Sequence, residues 1–240
     1  MGSPMTLTIA PGLAAYAASE NRLPPRHLGR RYDRSGRFLP EPGNTVVCHL
    51  MDGSPSHKAV LACREGMKTL PSADRLTFTV PSSLHMTLFQ GVIEFRRDWP
   101  YWPREMPADA SIEAMTRHFV SRLSGFTAAA PFAMTVTDVK PTGLVLDGLT
   151  EGDRKALAEW RDRLADAFGY RHPDHDDYAF HITFAYLIDW LPDSDLPAWQ
   201  DFRDQALDRF AREAPVIALQ PPAFCRFVDM NHFEELIVLT

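Results

Sequence analysis

The sequence predicts an α+β fold built mostly from antiparallel strands, with a coarse duplication that suggests two lobes. Three observations lead there. Apolar and polar residues alternate with a period of two in several short segments, and some of these are joined by turns too short for a parallel crossover. Between the strand pairs lie segments with apolar residues at helical spacing, a mixed order that fits α+β packing. In each half of the 240 residues, a helix is followed, after a loop or strand, by a strand carrying His-x-Thr.

In chain order, residues 6–20 read as a weak helix, and 21–43 as a loop rich in Pro, Gly and Arg that ends in PEPGN. Met1–Pro4 resembles an appended remnant ahead of Met5. TVVCHLM at 45–51 opens on β-branched residues and reads as a strand. A helix follows over 55–70, with Ser54 or Ser56 as its cap. LTFTV at 76–80 and LHMTLFQGVI at 84–93 are strands separated by PSS. The prolines and tryptophans of 98–107 predict a loop. Ile112, Met115, Phe119 and Leu123 form one stripe of a helix over 109–126. Segments 132–140 and 143–149 form a hairpin around PTG, and Leu157, Trp160 and Leu164 mark a helix over 152–169. The strand YAFHITFAYLI follows at 178–188, then a helix over 194–213. Strands over 215–220, 223–230 and 232–239 finish the chain. Residues 1–43 read as an N-terminal extension and 44–240 as a single bilobal domain.

Bulk properties exclude several classes. No run of eighteen apolar residues is present, and the N-terminus shows no basic-then-apolar secretory pattern. The three cysteines, Cys48, Cys63 and Cys225, are odd in number and form no CxxC pair, which favours a reducing cytoplasm over a disulfide framework. A net charge of −6, with the single basic stretch RHLGRRYDRSGR at 26–37, argues against a long nucleic acid as partner. It leaves room for a small phosphorylated substrate or an RNA end. No GxGxxG, Walker, HExxH or GxSxG motif occurs, so the familiar nucleotide-cofactor signatures are absent and no cofactor is expected.

The chemistry concentrates in the two matched motifs. Residues two apart on a strand share a face. His85 therefore projects with Thr87 and His181 with Thr183, while Leu84, Met86 and Leu88, or Phe180, Ile182 and Phe184, anchor the opposite face. A histidine in this apolar-His-apolar-Thr-apolar setting arises by chance roughly once in a hundred times, and here two of nine histidines have it. Imidazole, with an ordinary pKa of about 6.5, serves as base or acid near neutrality. One histidine alone reads more simply as a core residue bonded to backbone; the matched pair favours acid and base.

These two motifs, each on a strand and one in each half of the chain, resemble those of the two-histidine (2H) phosphoesterase superfamily, which includes RNA 2′,3′-cyclic phosphodiesterases. The stretch RYDRSGRFLPEPGNTVVCHL is similar to an uncharacterised branch of it. The resemblance implies two pseudo-symmetric lobes lining a central groove, helices outside, and no metal. It also implies catalytic His85 and His181, with Thr87 and Thr183 holding the phosphate. The expected activity is metal-independent hydrolysis of a small cyclic phosphodiester, either a nucleoside 2′,3′-cyclic phosphate or an RNA 3′ end. The sequence leaves open which histidine is acid and which base. It also leaves open the oligomeric state.

Other residues carry weaker signals. Gln90 and Tyr186 sit at the same offset after their motif histidines and reach the groove only if strict alternation breaks. Tyr178 is a weaker candidate still, and His49 reads as structural. Arg31, Tyr32 and Arg37 form a basic-aromatic patch that can hold a phosphate or stack a base, with a solvated loop as the equal alternative. His172, Asp174, His175, Asp176, Asp177 and His181 are dense enough to suggest a metallohydrolase, though Pro173 makes a solvated loop the simpler reading. A module that binds a nucleotide without cleaving it is the remaining alternative.

Overall fold

The computed structural model describes residues 8–240. Its fold is α+β, with a seven-stranded antiparallel sheet, a two-stranded sheet and five α-helices among the described residues. The helices are α1 (Pro11–Ala14), α2 (Pro55–Met67), α3 (Ile112–Leu123), α4 (Glu151–Phe168) and α5 (Leu196–Glu213). The strands are β1 (Gly43–His49), β2 (Leu76–Phe78), β3 (His85–Ile93), β4 (Met134–Lys140), β5 (Gly143–Gly148), β6 (Phe180–Thr183), β7 (Ala185–Leu187), β8 (Ala223–Phe227) and β9 (Phe233–Val238).

Helix starts follow from local capping. The Ser54 hydroxyl accepts from the His57 amide and the Ser111 hydroxyl from the Ala114 amide. Thr150 and Asp153 form a reciprocal capping box at the start of α4, and Gly169, at φ 75°, ends that helix in the left-handed region. The apolar stripes then do the packing. Met115 and Phe119 of α3, with Leu164 and Phe168 of α4, are completely buried and share one core with Met86, Leu88, Ile182 and Phe184.

Strand order in the large sheet is β4-β5-β6-β3-β1-β8-β9. The two His-x-Thr strands, nearly a hundred residues apart in sequence, are therefore central neighbours. They touch through a single antiparallel register pair, Met86 opposite Ile182. Strand pairing joins everything into one sheet; it does not itself draw two lobes.

Three expectations change, and the loop expected over 21–43 is a loop up to β1. The helix expected over 6–20 shrinks to α1 plus a 3-10 turn at Ala18–Glu20, because Ala17 pairs with Leu191 instead of continuing the helix; residues 6–7 and Met1–Pro4 lie outside the described residues. The strand expected over 178–188 breaks at Phe184, whose amide, like that of Ala185, donates to the Thr142 carbonyl, so that β7 leaves for β2. Residues 215–220 form only isolated bridges, through Ile217 and Leu219. The N-terminal loop packs as an ordered arm. The Tyr32 hydroxyl donates to the Leu187 carbonyl at 2.6 Å, and the Thr77 hydroxyl to the Gly36 carbonyl at 2.6 Å.

Candidate active site

A cavity of about 500 Å³ is lined by both motifs at once: His85, Thr87, His181 and Thr183. Antiparallel geometry explains their convergence. With Met86 opposite Ile182, the flanking residues fall into cross-strand pairs, His85 across from Thr183 and Thr87 across from His181. Met86 and Ile182 are wholly buried on the other face.

Each imidazole is held in the same way. His85 Nδ1 lies 2.7 Å from the Ser83 carbonyl, and His181 Nδ1 lies 2.9 Å from the Ala179 carbonyl, two residues back in each case. A carbonyl only accepts, so Nδ1 must carry the proton and Nε2 is left for the cavity. Burial holds the His85 pKa well down, to about 3, only partly opposed by the Ser83 carbonyl and reinforced by His49 and His181. Its ring packs edge-on against Phe233, with centroids 4.2 Å apart. His85 is accordingly neutral at pH 7.

Gln90 reaches the cavity by a bulge. Val46 pairs with Phe89 but Val47 with Thr87, so Leu88 is the extra residue on β3. Leu88 and Phe89 are both buried in succession, and the alternation resumes one step out of phase with Gln90 on the cavity face. The bulge is braced from behind by Arg161, whose Nη1 donates to the Leu88 carbonyl at 2.7 Å. Tyr186 reaches the same cavity because the strand breaks at Phe184.

The basic-aromatic patch divides. Arg31 lines the cavity, its Nε donating to the buried Glu41 carboxylate at 2.6 Å. Tyr32 does not: its ring is 1% exposed, and its hydroxyl is occupied by Leu187 in the wall behind. Arg37 also stays outside, turned toward Asp33 at 3.3 Å across its own turn.

Several cavity residues escape sequence reasoning. Arg26, His27 and Arg30 come from the N-terminal arm, and Arg96 from the segment after β3. The first three lie in a visibly basic stretch, but only folding brings it over the groove; Arg96 gave no signal. Tyr178, the weak candidate, places a buried hydroxyl beside Gln90 and Thr87. Arg161 lies over its ring at 4.1 Å.

The 172–181 segment does not assemble a ligand set. His172 is buried against Tyr101 and Phe89, and His175 Nε2 engages Asp162 at 3.0 Å. Among the described residues, no group of three or more His, Cys, Asp or Glu is placed to hold a metal ion. No described helix is long and apolar enough to cross a membrane.

Two comparisons with known proteins bear on the family of the chain. A family model described as 2H-phosphodiest, domain of unknown function (DUF1868), matches residues 31–145, which hold the first motif but not the second. Over nearly the whole chain, the structure is similar to the crystal structure of the conserved protein of unknown function ATU0111 from Agrobacterium tumefaciens str. C58. Identity is 50%, the TM-score is 0.94, and the match covers 96% of this chain and 99% of that one. The chain belongs to the 2H phosphoesterase family. No curated protein matches it. For this 2H family member, the match to residues 31–145 also takes in Arg31 and Glu41, so part of the arm falls within the family region.

Proposed function

We propose that this protein is a metal-independent phosphoesterase that hydrolyses a small cyclic phosphodiester, a nucleoside 2′,3′-cyclic phosphate or an RNA 3′ end. The observation that carries the reading is the pair of imidazoles, each with Nδ1 bonded to a carbonyl two residues back and Nε2 free in one cavity. In this reading, His85 is the base, since burial keeps it neutral. Its Nε2 takes a proton from water while the water oxygen forms a bond to phosphorus. His181 donates a proton to the departing ester oxygen as the P–O bond breaks, leaving a phosphomonoester. Thr87 and Thr183 donate to the equatorial oxygens, where negative charge gathers. A two-lobed groove fits the same reading. The narrow β3–β6 junction separates β4-β5-β6 from β3-β1-β8-β9, with one motif on each side.

A screen of cyclic phosphodiesters against wild type, His85→Ala and His181→Ala, with and without chelator, tests this. Wild type should turn over at least one substrate in chelator, and each variant should lose about a hundredfold or more. Full turnover by either variant overturns the mechanism. A ligand that binds tightly by calorimetry and is recovered intact from wild type points instead to a binding module.

A further inference from the structure

The cavity holds far more positive charge than one phosphodiester needs. Four arginines line it, Arg26, Arg30, Arg31 and Arg96, against one carboxylate, Glu41, which is already bonded to Arg31. This occurs in a chain whose net charge is −6. Among the described residues, no carboxylate forms an ion pair with Arg26, Arg30 or Arg96. Arg96 is half-buried, with its Nε buried and unpartnered. Its contacts are the Gln90 amide oxygen at 3.5 Å and the face of Tyr101 at 4.2 Å, neither of which neutralises it. Asp174 bears on Arg96 but does not line the cavity.

Leaving the half-buried Arg96 unpaired is unfavourable unless an anion joins it, and the exposed Arg26 and Arg30 add positive charge at the same cavity. His27, in their midst, registers the field. Burial first, and then Arg31, Arg26, Arg30 and Arg96, bring its pKa down to about 4. The arginines are also set apart from the motif threonines. Gln90, which touches Arg96, lies beyond the Leu88 bulge from Thr87; their β1 partners, Thr45 and Val47, are two residues apart, roughly 7 Å of strand. That separation is of the order of one nucleotide's length.

We propose that the substrate carries a second anionic group of the phosphate class, distinct from the scissile diester, which Arg96 binds together with Arg26 and Arg30 of the N-terminal arm. This deepens the phosphoesterase reading and rests on it. Arg31, committed to Glu41, fixes the arm in place. Guanidinium groups suit the role because they stay charged and bind phosphate through paired donors. The arm is then a specificity element that selects nucleotides bearing a further phosphate over plain nucleoside cyclic phosphates.

Two measurements on the full chain test this. The first compares kcat/KM for adenosine 2′,3′-cyclic phosphate with and without a 5′-phosphate. Wild type should prefer the 5′-phosphorylated form by about tenfold or more, as expected for charge-assisted bonds worth at least about 1.4 kcal/mol. The ratio should fall toward one in Arg26→Ala/Arg30→Ala, whose positions are exposed and safe for folding. The second measures calorimetric affinity for adenosine 3′,5′-bisphosphate against adenosine 3′-monophosphate, which requires no turnover. The bisphosphate should bind about tenfold tighter to wild type, with that advantage shrinking in the double variant. Equal affinities for the two nucleotides, or an advantage untouched by the double variant, overturn the second-anion site. Absence of turnover with the bisphosphate advantage intact would count against the hydrolase reading alone.

Discussion

Replacing Arg161 by Met tests whether a buried charge holds the β3 bulge in place. Arg161 is 4% exposed, on a helix that packs behind the sheet. Removing the guanidinium strands the carbonyl of Leu88, a residue with no solvent exposure, at a cost of about 1–3 kcal/mol. The 3.2 Å bond from Nε to the His175 carbonyl contributes about 0.5–1.5 kcal/mol more. Loss of the guanidinium over Tyr178 adds about 0.5–2 kcal/mol. Against these stands relief from burying a charge, which can make apolar replacements of whole buried pairs neutral or stabilising. Here only one partner is removed and the carbonyls remain, so the loss should dominate, at about 2–3 kcal/mol net. With a urea m-value of about 3 kcal/mol/M, the unfolding midpoint should fall by about 0.7–1 M at unchanged m. A midpoint that stays within about 0.2 M of wild type, or rises, refutes the reasoning and shows that the bulge is set by β1 pairing alone.

Three further outcomes are expected. Gly143 has φ 142°, and a Cβ there would stand 2.0 Å from the Ile182 carbonyl oxygen; Gly143→Ala should lower Tm by about 6 °C or more, and a Tm within about 2 °C of wild type would contradict this close approach. His172, buried and with its pKa pushed down to about 3 by burial and then by Arg96 and Arg161, binds its proton more readily when unfolded. Its contribution is thus present above about pH 6.5 and declines as pH falls toward 3, costing about 2 kcal/mol at pH 5. His172→Phe should flatten the fall in urea midpoint between pH 7 and 5, and an unchanged slope would count against a neutral buried ring. Because burial depresses the His85 pKa, the base form persists as pH falls, so the acid limb of kcat/KM should lie below pH 6.5; a limb at or above 6.5 would remove His85 from the role of base.

The helices and most strands were legible because their causes are local. Serine caps, the Thr150–Asp153 box and apolar stripes such as Met115–Phe119–Leu123 are written in consecutive residues. The His-x-Thr faces were legible for the same reason. Gln90 and Tyr186 were ambiguous because their orientation depends on a bulge at Leu88 and a break at Phe184. Both are fixed by partners far along the chain, the break by the Thr142 carbonyl. Tyr32 and Arg37 misled because a basic-aromatic sequence does not say which side chain the arm spends on its own anchoring. Tyr32 went to Leu187 and Arg37 to Asp33, and the cavity received their neighbour Arg31.

The antiparallel seam between β3 and β6 reads like a palindrome. His85 faces Thr183 and His181 faces Thr87, so a phosphate on that local axis meets the same two groups from either direction. The motifs alone therefore do not distinguish the ester oxygen that leaves from the water that arrives. Orientation has to come from whatever lacks a counterpart in the other half: Phe233 packed on His85 alone, and the arginine-bearing arm. On the proposed phosphoesterase reading, bond-breaking and the polarity of the bound molecule would thus reside in separate parts of the chain. On that reading, a relative that retained both strands but rebuilt residues 26–41 would keep the proposed chemistry and take its substrate the other way round.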